Sequence, residues 1–245
     1  NFIAHSKWVY NIFKNVKKTE NSPISYVKYS INIDKFKSEN KATIRKKLKI
    51  SKDVFVIATT AVGMLTNPFK DFRTLFNAYM KILDKQKKVL LIIIGDNRNN
   101  FKSKLYPEKF LFTNPTPQSK ELIEYYSCAD LYIQSSNIET WGLAISEALS
   151  CGLPVIASAV GAIPEQIRGL NRGEKNDSLN LFSLDKANGL LFEKNNEKSL
   201  YEKIIWMFEN KEKMTLLGNN ARSFAKKNLN MSKRVNHFIK YYNSL

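Results

Sequence analysis

The chain is poor in cysteine, histidine and arginine and has no long apolar run, and each shortage excludes something. Two cysteines among 245 residues, Cys128 and Cys151, cannot make a disulfide framework. Both sit in apolar helical contexts, which predicts buried free thiols in a reducing compartment. Neither these cysteines nor the two histidines fall at zinc-ligand spacing, so no metal is expected. His5 precedes a serine-led helix without a nucleophile or metal ligand beside it, and no catalytic role is expected of it. The longest strongly apolar run, Val89–Ile94, is six residues. A spanning helix needs about twenty, so no transmembrane segment is expected. Asn1–Tyr10 lacks the basic-then-apolar layout of a secretory signal. The first residue is Asn, and the chain is expected to derive from something longer. The expected location is cytoplasmic, with docking to the inner face of a membrane as an option.

What is present is globular composition. Hydrophobic residues make up 43% and aromatics 12%, enough for a sizeable core, which excludes disorder and collagen-like fibres. The net charge is +17, but it comes from 32 Lys and only 7 Arg, beside 26 Asn. Lys and Asn together are what AT-rich coding produces, and that accounts for part of the excess. The functional alternative is a polyanionic partner such as an anionic membrane or a phosphorylated substrate. Nucleic-acid modules concentrate Arg and aromatics in a patch. Here Lys is interleaved with Glu along helices, as in Lys194–Lys203, so no nucleic acid is expected.

Hydrophobic periodicity gives the organisation. Asn1–Lys18 reads as a helix with Ser6 as a plausible N-cap, and Pro23–Ser30 as a short strand. Lys41–Leu48 reads as a short helix with Ser38 near its start. Alternation follows: strands at Val54–Val62, Val89–Ile94, Phe110–Thr113, Asp130–Gln134, Val155–Ser158 and Leu190–Phe192. Helices are expected at Asp71–Lys85, Gln118–Cys128 and Leu143–Ser150, with a short one near Pro164–Ile167. Asn171–Lys186 is polar and turn-rich, so a loop. Glu197–Tyr242 reads as helical, broken near Gly218 and near Asn230. Short strands, apolar on both faces and alternating with helices, predict an α/β fold: a Rossmann-like, doubly wound parallel sheet. Ligands of such sheets sit outside the carboxyl ends of the strands.

The stretch carrying chemistry is Ser135–Glu165, SSNIETWGLAISEALSCGLPVIASAVGAIPE. It leaves a strand end as a loop bearing Glu139, turns through Thr140, Trp141, Gly142 and Leu143, and enters an apolar helix bearing Glu147. A helix start offers unpaired N–H groups and the positive end of the dipole, which suits a diphosphate. Gly142 lets a ligand approach the backbone. Glu147 lies one turn after Leu143 on the same face. A carboxylate beside a diphosphate makes sense as an acceptor for vicinal hydroxyls of ribose or sugar. Two Glu with a helix start between them therefore suggest a nucleotide-diphosphate sugar. The competing possibility is a pair of solvated glutamates, which the apolar neighbours of Glu147 disfavour.

This stretch resembles the signature of glycosyltransferase group 1, the retaining GT-B-fold family. The shared features are Glu139, Trp141-Gly142, Glu147-Ala148-Leu149, Gly152 through Ser158, and Gly161 through Pro164-Glu165. His5 through Trp8, Tyr125 through Ser136 and Asn188 through Phe192 extend the likeness along the chain. The resemblance implies that Glu147 holds the nucleotide ribose, that Glu139 meets a donor-sugar hydroxyl, and that the amides of Thr140–Leu143 take phosphate or sugar. The family clamps its diphosphate with a basic pair. Here Gly63-Met64-Leu65 lacks the expected Arg, so either Lys70 acts alone or Arg73 substitutes. The loop through Thr113 and Asn114 is expected to border the base, mainly through its backbone.

By the same resemblance, residues 1–32 are the tail of a missing N-terminal domain and the crossover. Residues 33–227 are the donor domain, and 228–245 a helix returning toward the missing domain. The implied function is transfer of a hexose or N-acetylhexosamine from a nucleotide sugar, most simply a UDP-sugar, without a cofactor. The acceptor would be a glycan or lipid-linked glycan in bacterial surface polysaccharide synthesis. The competing readings are a nucleotide-sugar epimerase of similar fold, a non-catalytic nucleotide-sugar-binding module, and a nucleic-acid binder, which a salt-steep gel shift would reveal.

Overall fold

In the computed structural model, the structure describes residues 2–17, 22–97, 101, 106–115, 119–173, 181–235, 239 and 243. The main body is one sheet of eight parallel strands. Its strands are β3 (Phe55–Thr60), β4 (Val89–Ile94), β5 (Phe110–Thr113), β6 (Leu131–Gln134), β7 (Val155–Ser158), β8 (Gly169–Leu170), β9 (Leu181–Phe182) and β10 (Gly189–Phe192). The spatial order is β5-β4-β3-β6-β7-β10-β8-β9. Alternate residues of β3 enter opposite cores, Val56 and Ala58 on one face, Phe55 and Ile57 on the other. The second core is covered by α3 (Phe72–Lys85) and α6 (Glu197–Glu209). The first is covered by α4 (Ser119–Cys128), α5 (Leu143–Ser150) and α7 (Lys211–Asn228), with α2 (Lys41–Lys47) against α4. Burial on both faces explains the unbroken apolar strands, VLLIII above all.

The first residues form a separate unit. β1 (Phe2–Ala4) pairs in parallel with β2 (Ile24–Tyr26), and α1 (Lys7–Lys14) joins them. The expectation of one helix from Asn1 to Lys18 is corrected: Phe2–Ala4 is extended, and Ser6 starts the helix by accepting from the Val9 N–H at 3.1 Å. The chain then returns along the main body, where Ile31 bridges Asn230 beyond the end of α7.

The helix expected at Lys41–Leu48 is α2, and its cap is Asn40, which accepts from the Thr43 N–H. Two further expectations change. Within the loop expected at Asn171–Lys186, Leu181–Phe182 forms a strand that extends the sheet, while residues 174–180 lie outside the described residues. The long C-terminal helix breaks at Asn210, where α6 ends, and not at Gly218. Gly218 stands inside α7 because a Cβ there would meet the Gly152 carbonyl oxygen at 2.6 Å, so it marks where α7 meets the end of α5. Half of the expected helix beyond Asn230, residues 236–238 and 240–242, lies outside the described residues, as does Gln118.

Candidate functional site

Numbered in chain order, the six long strands lie side by side as 3-2-1-4-5-6, so the order reverses between β3 and β6. At such a switch point the loops after the two central strands part, leaving a crevice at their carboxyl ends. Both loops are tied down. The Asp71 N–H donates to Ser135 O at 3.1 Å, and the Asn137 N–H to Phe69 O at 2.9 Å. Lys70 bridges Ser136 in antiparallel fashion. Beneath them Tyr132 donates to Gln134, which donates to Ser136 Oγ at 2.9 Å, and Ser158 Oγ donates to Ser136 O at 2.9 Å. The loop after β3 has its own anchor: buried Asp96 accepts the Leu65 N–H at 2.8 Å.

This stitching brings Lys70 to Glu139. Lys70 Nζ lies 2.6 Å from Glu139 Oε2, both side chains being about 15% exposed. The Glu139 backbone is fixed from behind, where its carbonyl accepts the Ala162 N–H at 2.9 Å. Gly161 has a φ of 54°, and a Cβ there would stand 2.0 Å from that carbonyl oxygen, so only glycine fits.

Next to Glu139, Gly142 caps α5 in the left-handed region at φ 87° and offers no side-chain cap. The N–H groups of Thr140, Trp141, Gly142 and Leu143 have no acceptor among the described residues. They form a receptive start to α5, one to four residues after the glutamate that holds Lys70. Gln166, fully buried, holds the other side of this turn. Its Nε2 donates to the carbonyls of Trp141 and Gly142, and its Oε1 accepts from Ser146 Oγ at 2.7 Å.

Glu147 lies one turn into α5. Tyr126 donates to its Oε2 at 3.0 Å, and the Tyr126 hydroxyl lies 3.3 Å from Thr60 Oγ1 at the end of β3. Burial pushes the Glu147 carboxyl up to about 7, opposed by the Tyr126 hydrogen bond. Burial first, and then the same carboxylate, raise the Tyr126 hydroxyl well above its ordinary value. Near neutrality Glu147 is therefore poised between its two protonation states.

The family model for glycosyl transferases group 1 matches residues 40–224. The chain belongs to that family. An uncharacterised glycosyltransferase of Methanocaldococcus jannaschii is 28% identical to it, over 99% of this chain and 58% of the relative, so the chain spans little more than half that relative's length. Sucrose-phosphate synthase from Thermosynechococcus elongatus superposes with a TM-score of 0.80 at 20% identity, covering 99% of this chain and 57% of that one. Anabaena HepE in complex with UDP and glucose superposes at 0.78 and 18% identity, covering 99% and 62%. These likenesses show the fold, one half of a GT-B architecture.

Glu139, Lys70, Gly63, Thr140, Gly142, Leu143 and Glu147 all lie on loops or helix starts at the carboxyl edge of the central strands. Trp141 differs from the rest of the turn. The residue as a whole is 1% exposed, with Nε1 donating to Ser146 Oγ, so its ring belongs to the core and not to a ligand surface. Arg73 is exposed and lines a hollow whose wall includes Asp71, next to Lys70, and Asn137, two residues before Glu139, but neither Lys70 nor Glu139 itself. The Thr113 carbonyl is engaged by the Gly95 N–H, its hydroxyl is buried without a partner among the described residues, and Asn114 is exposed. His5 is structural: Nδ1 donates to Val27 O at 2.8 Å. Cys128 and Cys151 are free and buried, and burial raises both thiols, to about 11 and about 12.

Sequence reading missed Tyr126, Gln166 and Asp96 as site supports. A signal existed for two of them. Tyr126 lies within the matched segment before β6, and Gln166 directly follows Pro164-Glu165. Their roles depend on partners about 20 residues or more away, Glu147, Trp141 and Leu65.

Proposed function

We propose that this chain is the donor-binding part of a retaining glycosyltransferase that takes its sugar from a nucleoside diphosphate, with UDP as the nucleotide. The observation that carries the reading is the Lys70–Glu139 pair beside four unpaired N–H groups at the switch point of a parallel sheet. The diphosphate would lie on the α5 start, its charge met by Lys70 and the helix dipole. Glu147 would accept ribose hydroxyls and Glu139 a sugar hydroxyl. As the glycosidic bond breaks, negative charge grows on the departing diphosphate. Fixed N–H groups and Lys70 stabilise that charge without reorganising. UDP in the HepE structure supports the choice of nucleotide.

The acceptor, a glycan or lipid-linked glycan of surface polysaccharide synthesis, would be oriented by a further domain that packs near residues 1–32 and 228–245. The donor domain proper is 33–227. No helix among the described residues is long and apolar enough to cross a membrane. Work at an anionic inner membrane face would therefore rest on the lysine excess. Calorimetry on the 245-residue chain tests the reading. UDP and UDP-sugars should bind at one site, and Glu147→Ala should cost about 1.5–3 kcal/mol of that affinity. A folded chain that binds no nucleoside diphosphate would overturn it.

A further inference from the structure

The segment Gly161–Gln166 touches three parts of the molecule. Ala162 holds the Glu139 carbonyl, and Gln166 holds the carbonyls of Trp141 and Gly142. Between them, Glu165 reaches α1. Its Oε2 accepts the Lys7 N–H and its Oε1 the Trp8 N–H, each at 3.0 Å. α1 has no acidic residue in its first turn, and Ser6 caps only Val9. Glu165 thus completes the N-terminal cap of a helix more than 150 residues away in sequence, with a charge of the sign the helix dipole favours. A second grip lies alongside: Tyr29 stacks on His5 at 4.0 Å and approaches the Trp141 ring at 6.4 Å.

The adjacent residue gives this contact its reach. In a trans peptide the C=O and the following N–H point in opposite directions. By holding the Trp141 and Gly142 carbonyls, Gln166 aims the Gly142 and Leu143 N–H groups away from the core. Glu165 and Gln166 are consecutive, with Glu165 ending a 3-10 turn, so a shift in one is transmitted to the other.

We propose that Glu165 is a positioning residue that latches α1 to the α5 start, coupling the seating of α1 to the aim of the Gly142 and Leu143 amides. The latch is a property of the chain without ligand; only its coupling to nucleotide rests on the function proposed above. By reciprocity, a nucleotide that orders the α5 start must also tighten α1.

Amide hydrogen exchange on the 245-residue chain tests the latch, first without ligand. Glu165→Ala should speed exchange at Lys7–Trp8 and also at Ile145–Ser146, the first amides bonded within α5. The change should be about three- to thirty-fold, the range for loss of a helix cap. Glu165→Gln keeps the shape and one acceptor, and should fall between wild type and alanine. Faster exchange confined to α1 in both variants would overturn the latch. In a second arm, UDP should slow exchange at Lys7–Trp8 in wild type and not in Glu165→Ala. Protection of the α5 start with α1 unchanged in wild type would also overturn the coupling. Absence of any UDP effect in wild type counts against the nucleotide reading, and the ligand-free arm then decides the latch.

Discussion

Lowering the pH should weaken donor binding through Glu147. Burial holds its carboxyl at about 7 in the empty chain, against an ordinary value of 4.5. Ribose hydroxyls are donors and favour the ionised form, so binding lowers this pKa and affinity must rise with pH. If only the ionised form binds well, the apparent affinity at pH 6 is about tenfold below its plateau at pH 8, or roughly 1.4 kcal/mol. The probe should be a UDP-sugar, because its diphosphate carries no terminal phosphate titrating in this range. Stability of the empty chain runs the other way. A folded pKa raised above the unfolded value contributes stability that is full below about 4.5 and lost as pH passes through about 7, up to about 3 kcal/mol in all. Calorimetry and urea unfolding at pH 6, 7 and 8 measure both slopes. Glu147→Gln should flatten both. A flat wild-type binding profile, or a slope that survives in Glu147→Gln, would refute the reasoning.

Lys70→Met should cost UDP about 1.5–3 kcal/mol, the range for a charged hydrogen bond, whereas Arg73→Ala should change it by under about 0.5 kcal/mol. Titration of both variants separates the two cations, and equal losses would place Arg73 in the clamp beside Lys70. Gly161→Ala should destabilise the chain by more than the roughly 1–3 kcal/mol of a left-handed non-glycine residue, because its Cβ also meets the Glu139 carbonyl. Gly173→Ala, left-handed but with nothing within 4 Å of its Cβ among the described residues, is the control in the same unfolding assay. If the lysine excess serves a membrane, the chain should bind anionic vesicles at low salt and leave them near physiological salt, where the Debye length is about 8 Å. Equal binding to neutral vesicles would return the charge to composition.

The parallel sheet was legible because strands buried on both faces leave a plain mark. VLLIII and the VIAS run have no other stable place in a chain of this length. The α5 start was legible because its glycine, loop glutamate and apolar helix are consecutive in sequence. Phe2–Ala4 was not. Three residues carry too little periodicity, and their partner is Ile24–Tyr26 in a sheet of their own. Gly218 misled because a helix-breaking residue and a close-packing residue are the same letter, and only the Gly152 carbonyl distinguishes them. The choice between Lys70 alone and Lys70 with Arg73 was left open in the sequence, because the direction of Arg73 depends on how α3 is turned, which a count of residues does not fix.

The Lys70–Glu139 pair raises a question of selectivity. A lysine beside a helix start would attract any anion, inorganic pyrophosphate included. Glu139 at 2.6 Å cancels the lysine's charge before a ligand arrives. A bare anion then meets the carboxylate without offering it a donor. A sugar nucleotide offers a hydroxyl to Glu139 in the same step that it offers phosphate to Lys70 and the amides. Glu139 thus acts against pyrophosphate and for the sugar ester. At an effective dielectric of about 20, unit charges about 6 Å apart repel by roughly 2–3 kcal/mol, and solvent reduces this at a partly exposed site. Glu139→Gln should therefore tighten pyrophosphate, and UDP through its unesterified terminal phosphate, roughly five- to thirtyfold, and weaken the UDP-sugar relative to both. Competition titrations with the three ligands give these ratios directly. If Glu139→Gln weakens pyrophosphate and UDP-sugar alike, the carboxylate only holds Lys70 in place, and selectivity for the sugar must come from elsewhere in the site.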